Sequence, residues 1–327
     1  MKGLSKESAT SHEVGEEGEA QRIDNYLTRL LKGVPKSHVY RILRSGEVRV
    51  NSRRVGPEHR LKAGDRVRVP PIRVAHRSET AAGRMPAAPR TPVAPRFAGR
   101  ILFEDDALLV IDKPAGVAVH GGSGVSSGVI EQLRHERPQA RFLELVHRLD
   151  RDTSGVLVLA KKRSALTDLH RQLREGAARK LYLALTKGRW TGPARTVAAP
   201  LHKYVLPSGE RRVRVHDEGQ TARTIFRAKR LWSGYSLVEA ELKTGRTHQI
   251  RVHLAHVGHP IAGDDKYGDF DLNKSLAREG LKRMFLHACQ LTVRHPVSGE
   301  AVTFEAPLPA ELATFVDRLN AADAPTL

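Results

Sequence analysis

The amino-acid sequence predicts an α+β protein of two domains, the second built on a mixed or antiparallel sheet. In the larger C-terminal region, segments typical of strands outnumber helical ones and do not alternate with helices as a parallel sheet would require. A stretch rich in proline and alanine separates this region from a smaller module of two helices and a few strands. A chain of 327 residues is long enough for each domain to bury a core.

The smaller module is predicted over residues 20–72, after a flexible tail (residues 1–19) that lacks hydrophobic periodicity. Apolar spacing and turn residues predict its elements in the order helix 23–31, helix 35–46, strand 48–50, turn 51–54 and strand 67–69. Two helices and a few strands within about fifty residues make a compact module.

A linker is predicted over residues 73–98, where Pro, Ala and Arg dominate and prolines favour extended backbone. The second domain is predicted over residues 99–320, followed by a C-terminal tail (residues 321–327). Its predicted elements are strands at 101–103, 108–111, 156–160, 181–185 and 237–242 and helices at 129–133, 165–173 and 248–257.

The charge balance indicates a polyanionic partner. Lys and Arg number 55 against 36 Asp and Glu, a net charge of +19. Basic residues are dispersed along the chain and aromatic residues make up 5%, which favours nucleic acid over a membrane surface. No apolar stretch is long enough for a membrane span, and the acidic N-terminus does not resemble a signal peptide, so we expect a cytoplasmic protein. The single cysteine, Cys289, excludes an intramolecular disulfide.

The loop 147–155, with the sequence HRLDRDTSG, is the strongest candidate for chemistry. Apolar segments flank it on both sides, yet it holds a histidine, two arginines, two carboxylates and two hydroxyls. Loops on rigid scaffolds are where catalytic groups concentrate, and Asp150 is the first candidate. Asp152 is the alternative carboxylate, although its position favours a turn or capping role.

Basic residues concentrate on the polar faces of the smaller module, namely Lys32, Lys36, Arg41, Arg44, Arg49, Arg53 and Arg54. The segment RIDNYLTRLLKGVPKSHVYRILRSGEVRVNSRRV, with the later LKAGDRVRV, resembles an S4 domain. That resemblance implies that these side chains contact structured RNA. The alternative is that they form only a solvated face.

The larger domain carries several spaced motifs. HRLDRDTSGVLVLAKK, TGRTHQIRVH and VHGGSGV are accompanied by DKPAG at 112–116, by KLYLAL at 180–185 and by GDDKYG at 263–268. Together with the preceding S4-like segment, residues 20–310 resemble the ribosomal large-subunit pseudouridine synthases. This resemblance implies a mixed, largely antiparallel sheet with a central active-site cleft, which agrees with the strand-rich pattern.

The resemblance also implies a reaction and its residues. These enzymes convert uridine to pseudouridine without cofactor or metal, using the HRLD aspartate, here Asp150. That carboxylate attacks C1′ or the uracil ring, or removes the C2′ proton. Arg251 is expected to pair with it through a bidentate contact that keeps it ionised, Arg148 to contact RNA phosphate and Tyr182 to stack on the flipped base. The implied partner is large-subunit ribosomal RNA or the assembling subunit, modified by a monomer at several uridines, some near the peptidyl-transferase region.

Three other functions are compatible with parts of the sequence. The first is a binding-only protein with a catalytically dead domain, and the second is a synthase for another ribosomal site or transfer RNA. The third is a metal-dependent phosphodiesterase that would use His248, His253, His256 and His259. Because these histidines lack both the H-E-x-x-H pattern and a neighbouring carboxylate, we expect no metal site.

Overall fold

The computed structural model describes residues 9–15, 18–31, 34–72, 97–121 and 127–322. Some predicted features lie outside these residues: the tail at 1–8, Lys32, the side chain of Lys36, the linker at 73–96, the glycine-rich 122–124 and the C-terminal 323–327. The chain forms two compact units, Met1–Ala94 and Pro95–Leu327, which divide inside the predicted linker.

The described part of the first unit contains two helices and one antiparallel sheet. Its elements are β1 (Thr10–Glu13), α1 (Ile23–Leu30), α2 (Lys36–Arg44), β2 (Arg49–Val50), β3 (Arg53–Arg54) and β4 (Arg66–Val69). The strands lie in the order β1-β4-β2-β3. The predicted apolar stripes meet in one core, where Leu27, Ile42 and Val67 are fully buried. Burial of these faces holds the short elements together.

Two predictions for this unit are wrong in detail. Residues 10–13 form a strand paired with residues 66–69, although we predicted a flexible tail there. A four-residue segment without alternation shows no strand signal, and its stability comes from the pairing with β4. The turn predicted at 51–54 is confined to Asn51 and Ser52, both with positive φ, so that residues 53–54 are free to pair. Two such residues form the tight turn typical of two-residue hairpins.

The described part of the second unit is built on a ten-stranded sheet. Its elements are β5 (Ile101–Glu104), β6 (Leu108–Lys113), α3 (Val129–Glu136), β7 (Glu144–Leu145), β8 (Ser154–Ala160), α4 (Arg163–Glu175), β9 (Arg179–Lys187), β10 (Ala194–Ala198), β11 (Leu201–Val205), β12 (Arg211–Val215), β13 (Arg223–Leu231), β14 (Tyr235–Leu242), α5 (Gln249–His256), α6 (Phe270–Arg278), β15 (Leu286–Arg294), β16 (Ala301–Glu305) and α7 (Ala310–Ala322).

The main path of the sheet is β10-β13-β14-β9-β15-β8-β6-β5, with β16 beside β15 and β7 beside β8. Within the described residues, β8 and β15 are parallel and every other pair is antiparallel. The predicted mixed, largely antiparallel sheet is therefore confirmed. The strands β11 and β12 form a separate hairpin.

Strand β8 lies in the middle of the sheet, and all seven of its residues are buried. Gly155, near its start, has a φ of +113°, and a Cβ there would lie 2.1 Å from the backbone oxygen of Ala288 on β15. The last residue of the 147–155 loop is thus a glycine because β15 approaches the backbone directly. This close approach determines where the loop enters the sheet.

All predicted strands and helices of this unit are present, while β10–β13, β15, β16, α6 and α7 were not predicted. Several of these are polar edge elements; in β10, for example, only Val197 is buried. The ordered unit is longer than the predicted 99–320, because Phe97 is fully buried and α7 continues to Ala322. In the described part of the chain, no helix is long and apolar enough to cross a membrane.

Candidate active site

The loop between β7 and β8 opens into a cleft of about 500 Å³ in the second unit. Its walls are the loop itself, one face of β9, the C-terminal half of α4 and the segment that leads into α5. All four predicted residues of this unit, Arg148, Asp150, Tyr182 and Arg251, line it, although they come from three separate parts of the sequence. A cleft of this size accommodates a nucleotide-sized ligand.

The turn after β6 holds the backbone of this loop in place. Lys113 is fully buried, and its ammonium donates hydrogen bonds to the carbonyl oxygens of Pro114, Val117 and Arg151 at 2.8–3.0 Å. The Gly116 amide also donates to the Arg151 carbonyl at 2.9 Å. Burial lowers the pKa of Lys113 to about 7. The DKPAG motif thus supports the chain beside the candidate aspartate.

His147 at the start of the loop has a structural contact. Its Nε2 accepts a hydrogen bond from the Val158 amide at 3.2 Å, which ties the loop to β8. Burial, and then the charge of Lys180, lower the pKa of His147 to about 4, so the ring is neutral and can accept this bond.

Asp152, the alternative carboxylate, is not among the described residues that line the cleft.

Arg251 contacts Asp150, but the bidentate part of the prediction is wrong. Its Nη1 lies 3.4 Å from Asp150 Oδ2, a single long contact. The two-pronged pair is made with Asp264, where Nε and Nη2 each donate to a carboxylate oxygen at 2.7 Å. The fork of the guanidinium is occupied by Asp264, so one Nη1 hydrogen is directed at Asp150. Asp264 lies in the GDDKYG motif, to which the sequence assigned no role.

The pair between Arg251 and Asp264 is almost inaccessible to water, with 3% and 1% of their side chains exposed. Burial alone would raise the pKa of Asp264, yet hydrogen bonds and charge from Arg251 hold it below its ordinary value. Burial alone would lower the pKa of Arg251, but the net effect is to raise it, because burial is outweighed by the nearby carboxylates of Asp264, Asp150 and Asp265. Arg251 is therefore a permanently charged, immobile group beside Asp150.

His248 is a second neighbour of Asp150 that sequence reasoning missed as a site residue. Its Nε2 lies 3.9 Å from Asp150 Oδ2, and its Nδ1 is 2.8 Å from the hydroxyl of Tyr267. The residue precedes α5 with a φ of +53°, a conformation that is uncommon outside glycine and concentrates at functional sites. The ring of Tyr267 also lies against the Arg251 guanidinium, 5.1 Å from centroid to carbon. The sequence did contain a signal for this residue: His248 belongs to the same THQIR motif as Arg251 and precedes it by three residues.

Tyr182 and Arg148 occupy different positions in the cleft. Tyr182 lies on β9, almost fully buried at the cleft wall, and burial followed by the charge of Asp150 raises its pKa. Arg148 is exposed at the rim, and no hydrogen bond or ion pair joins its side chain to another described residue. A flat aromatic wall and a free cation are therefore available to a nucleotide beside Asp150.

In the first unit, the predicted basic residues whose side chains are described are all exposed, namely Arg41, Arg44, Arg49, Arg53 and Arg54. Sequence reasoning missed two further arginines on β4, Arg66 and Arg68. Arg68 pairs with Arg49, which in turn pairs with Arg54, so three like charges lie side by side across the sheet. Such a row is unfavourable by itself and favours a polyanionic ligand.

Three of the four histidines considered for a metal site, His248, His253 and His259, have separate partners. His253 contacts the Thr224 hydroxyl at 2.9 Å and the Ala199 carbonyl at 3.0 Å, whereas His259 contacts the Lys187 carbonyl at 3.0 Å. Over the described ranges, no three His, Cys, Asp or Glu side chains are grouped closely enough to hold an ion.

Comparison with known proteins gives matches over both units. The family model described as S4 domain matches residues 21–67, and that described as RNA pseudouridylate synthase matches residues 107–256. Ribosomal large subunit pseudouridine synthase C of Salmonella typhimurium is 57% identical over 290 residues, or 88% of this chain and 89% of that protein. Its Escherichia coli namesake is 55% identical over 302 residues, or 92% and 93%. Human RNA Pseudouridylate Synthase Domain Containing 4 superposes with a TM-score of 0.57 at 28% identity, covering 68% of this chain and 94% of that one.

Proposed function

This chain belongs to the RNA pseudouridylate synthase family, and from that membership we propose that it isomerises uridines of large-subunit ribosomal RNA, with Asp150 as the reacting carboxylate. The observation that carries the proposal is the position of Asp150. Its carboxylate lies in the cleft between the charged Arg251 and the ring of His248. Arg251 places a positive charge 3.4 Å from the carboxylate that would react.

The reaction moves one bond without any external reagent. The N1–C1′ glycosidic bond breaks, uracil turns within the cleft and a C5–C1′ bond forms, while C5 loses a proton and N1 gains one. The product has the same atoms and oxidation state as the substrate, so the reaction consumes no oxidant, reductant or second substrate. Three reactions are open to Asp150: attack at C1′, attack on the uracil ring, or removal of the C2′ proton. A primary isotope effect from uridine deuterated at C2′ identifies the third.

The remaining cleft residues supply binding and orientation. The target base must leave its stack to reach Asp150, and stacking on Tyr182 compensates for the lost neighbours. Arg148 at the rim contacts RNA phosphate or takes the place of the flipped base. Arg251, held by Asp264, keeps its charge beside Asp150 throughout the reaction.

The substrate assignment has its own support. The relatives at 55–57% identity are named ribosomal large subunit pseudouridine synthase C, and they are covered over about nine-tenths of their length. We propose that this chain acts as a cytoplasmic monomer on several uridines of the same RNA, some near the peptidyl-transferase region, in free or assembling subunits. The exposed arginines of the S4 unit, with Lys32 and Lys36, supply the wider RNA contact.

The decisive experiment replaces Asp150 by asparagine and maps pseudouridine on large-subunit RNA. In cells lacking the gene, the wild-type gene should restore a defined set of pseudouridines, and D150N should restore none. With purified protein, we expect activity to fall by about 10³-fold or more, because no ionised carboxylate remains, while RNA binding persists.

Asp152→Asn is the matched control, since it makes the same change two residues away at a side chain outside the cleft lining. Pseudouridine formation by D150N at the wild-type rate would refute the role of Asp150. Wild-type protein that binds RNA and modifies none would support the binding-only alternative.

A further inference from the structure

Lys180 is a charged group of the cleft that the proposed reaction does not use. It lies on β9 two residues before Tyr182, and side chains two apart on a strand share one face about 6.5 Å from each other. Both side chains line the cleft. The ammonium of Lys180 is therefore next to the wall on which the target base would stack.

The ammonium has no anionic partner among the residues that the structure describes. Within the described part of the chain, no hydrogen bond or ion pair joins the side chain of Lys180 to another residue, although that side chain is half-buried. Burial is the one cause that lowers its pKa, and no carboxylate offsets it. A partly desolvated charge without a counter-ion destabilises the free protein.

The surroundings of Lys180 are cationic and open. Six cationic side chains line the described part of the cleft against one carboxylate, that of Asp150. Its Nζ lies beside Gly245, 3.8 Å from the position that a Cβ would occupy, so no side chain at that residue covers the ammonium. Arg174 on α4 also lines the cleft and is exposed, and the neighbouring His147 is neutral. This end of the cleft thus attracts an anion.

We propose that Lys180 forms a phosphodiester subsite, in which its ammonium binds the backbone phosphate of a nucleotide adjacent to the target uridine. The inference rests on the proposed function, because it takes the ligand of the cleft to be RNA. A phosphate is favoured over a uracil carbonyl because only an anion neutralises the charge. Lys180 is a positioning residue: with Tyr182 it holds the base and the adjoining backbone in register at Asp150.

The experiment compares Lys180→Met, Lys180→Arg and Arg179→Met on an unmodified large-subunit RNA transcript. Arg179 is the matched control, since it is the preceding residue on β9, exposed and outside the cleft lining. For K180M we expect KM to rise about 10- to 100-fold with kcat within about twofold, as loss of one charge-assisted contact predicts. The slope of log affinity against log salt should become shallower by about 0.7, the value for one single-strand phosphate. R179M should match the wild type, and K180R should recover most of the affinity.

Thermal unfolding separates this role from a structural one. Because K180M removes an unpaired, partly buried charge, its Tm should equal or exceed that of the wild type while RNA affinity falls. Ethylation of RNA phosphates should reveal one phosphate near the modified uridine whose modification weakens binding to the wild type but not to K180M. A K180M protein with the KM, salt slope and interference pattern of R179M would overturn the subsite. The subsite would also be overturned if K180M lowered both Tm and kcat and K180R did not restore them. If wild-type protein forms no pseudouridine at all, the proposed function fails first.

Discussion

Replacing Asp264 by asparagine tests whether a buried carboxylate outside the reacting group maintains the cleft. Asp264 Oδ2 accepts from Arg251 Nε at 2.7 Å, and Oδ1 accepts from Arg251 Nη2 at 2.7 Å. Oδ1 also accepts the backbone amides of Lys266 and Tyr267 at 2.8 and 3.0 Å. In D264N the amide oxygen can retain the three bonds at Oδ1, but its NH2 group must face the Nε hydrogen. One strong bond becomes a donor–donor contact, and the guanidinium loses its bidentate, buried counter-ion.

The size of the effect follows from burial. Arg251 stays charged and 3% exposed, so water cannot replace the missing acceptor. Breaking a buried pair in this way costs about 3–5 kcal/mol, a large part of the 5–15 kcal/mol by which a domain is ordinarily stable. For a domain of this size, we expect a fall in Tm of about 10 °C. A guanidinium displaced by about 1 Å from Asp150 should also lower kcat by about 100-fold.

Asp265→Asn is the matched control. Asp265 Oδ1 lies 3.4 Å from Arg251 Nη2, but its side chain is 71% exposed, so its loss should cost less than about 1 kcal/mol. Calorimetry on the intact protein measures both Tm values, and release of tritium from 5-tritiated uridine in the RNA measures turnover, because C5 loses its hydrogen. Equal Tm and kcat for D264N and D265N would refute the reasoning.

Two further predictions concern the 147–155 loop. Gly155→Ala should destabilise the second unit by at least about 3 kcal/mol, because its Cβ would clash with the Ala288 oxygen at a positive φ. Gly234→Ala is the control, since a Cβ there would lie in open space, and it should have little effect. Similar urea unfolding midpoints for the two variants would contradict this prediction. The pKa of His147, lowered mainly by burial to about 4, lies below its unfolded value of about 6.5, so its contribution is complete above pH 6.5 and is lost as pH falls toward 4. Between pH 7 and 4.5, the free energy of unfolding of the wild type should fall by about 2–3 kcal/mol from this residue, seen as a fall in Tm, and His147→Gln should largely lack that fall. The same pH dependence of Tm in the variant as in the wild type would contradict this prediction.

Local patterns were sufficient for most elements that carry the cleft. The apolar segments that became β6, β8, β9 and β14 were predicted because a buried strand has few alternatives in such a run. Strand β1 and the polar strands β10–β12 were missed, since their residues show little alternation and their pairing comes from neighbours distant in sequence. Tertiary pairing, in these places, outweighed local propensity.

In the candidate site, too, the local motifs predicted the residues, whereas the tertiary structure decided the geometry of their contacts. The motifs named Arg148, Asp150, Tyr182 and Arg251, and all four line one cleft. The predicted contact between Arg251 and Asp150 is present, but its bidentate geometry was predicted incorrectly, because a guanidinium with two carboxylates in reach adopts the geometry that the backbone permits. Here Asp264 takes the bidentate face, and Asp150 receives one Nη1 hydrogen.

By itself, the sequence determined the family, the class of sheet and the loop that carries the candidate carboxylate, because motifs and apolar periodicity are local properties. Only the tertiary structure decided that Asp264 holds Arg251, that His248 lies beside Asp150 and that the Lys180 ammonium has no counter-ion among the described residues. These features depend on the distances between side chains that lie on different elements. Such distances are set by strand register and helix orientation, and no local pattern records them.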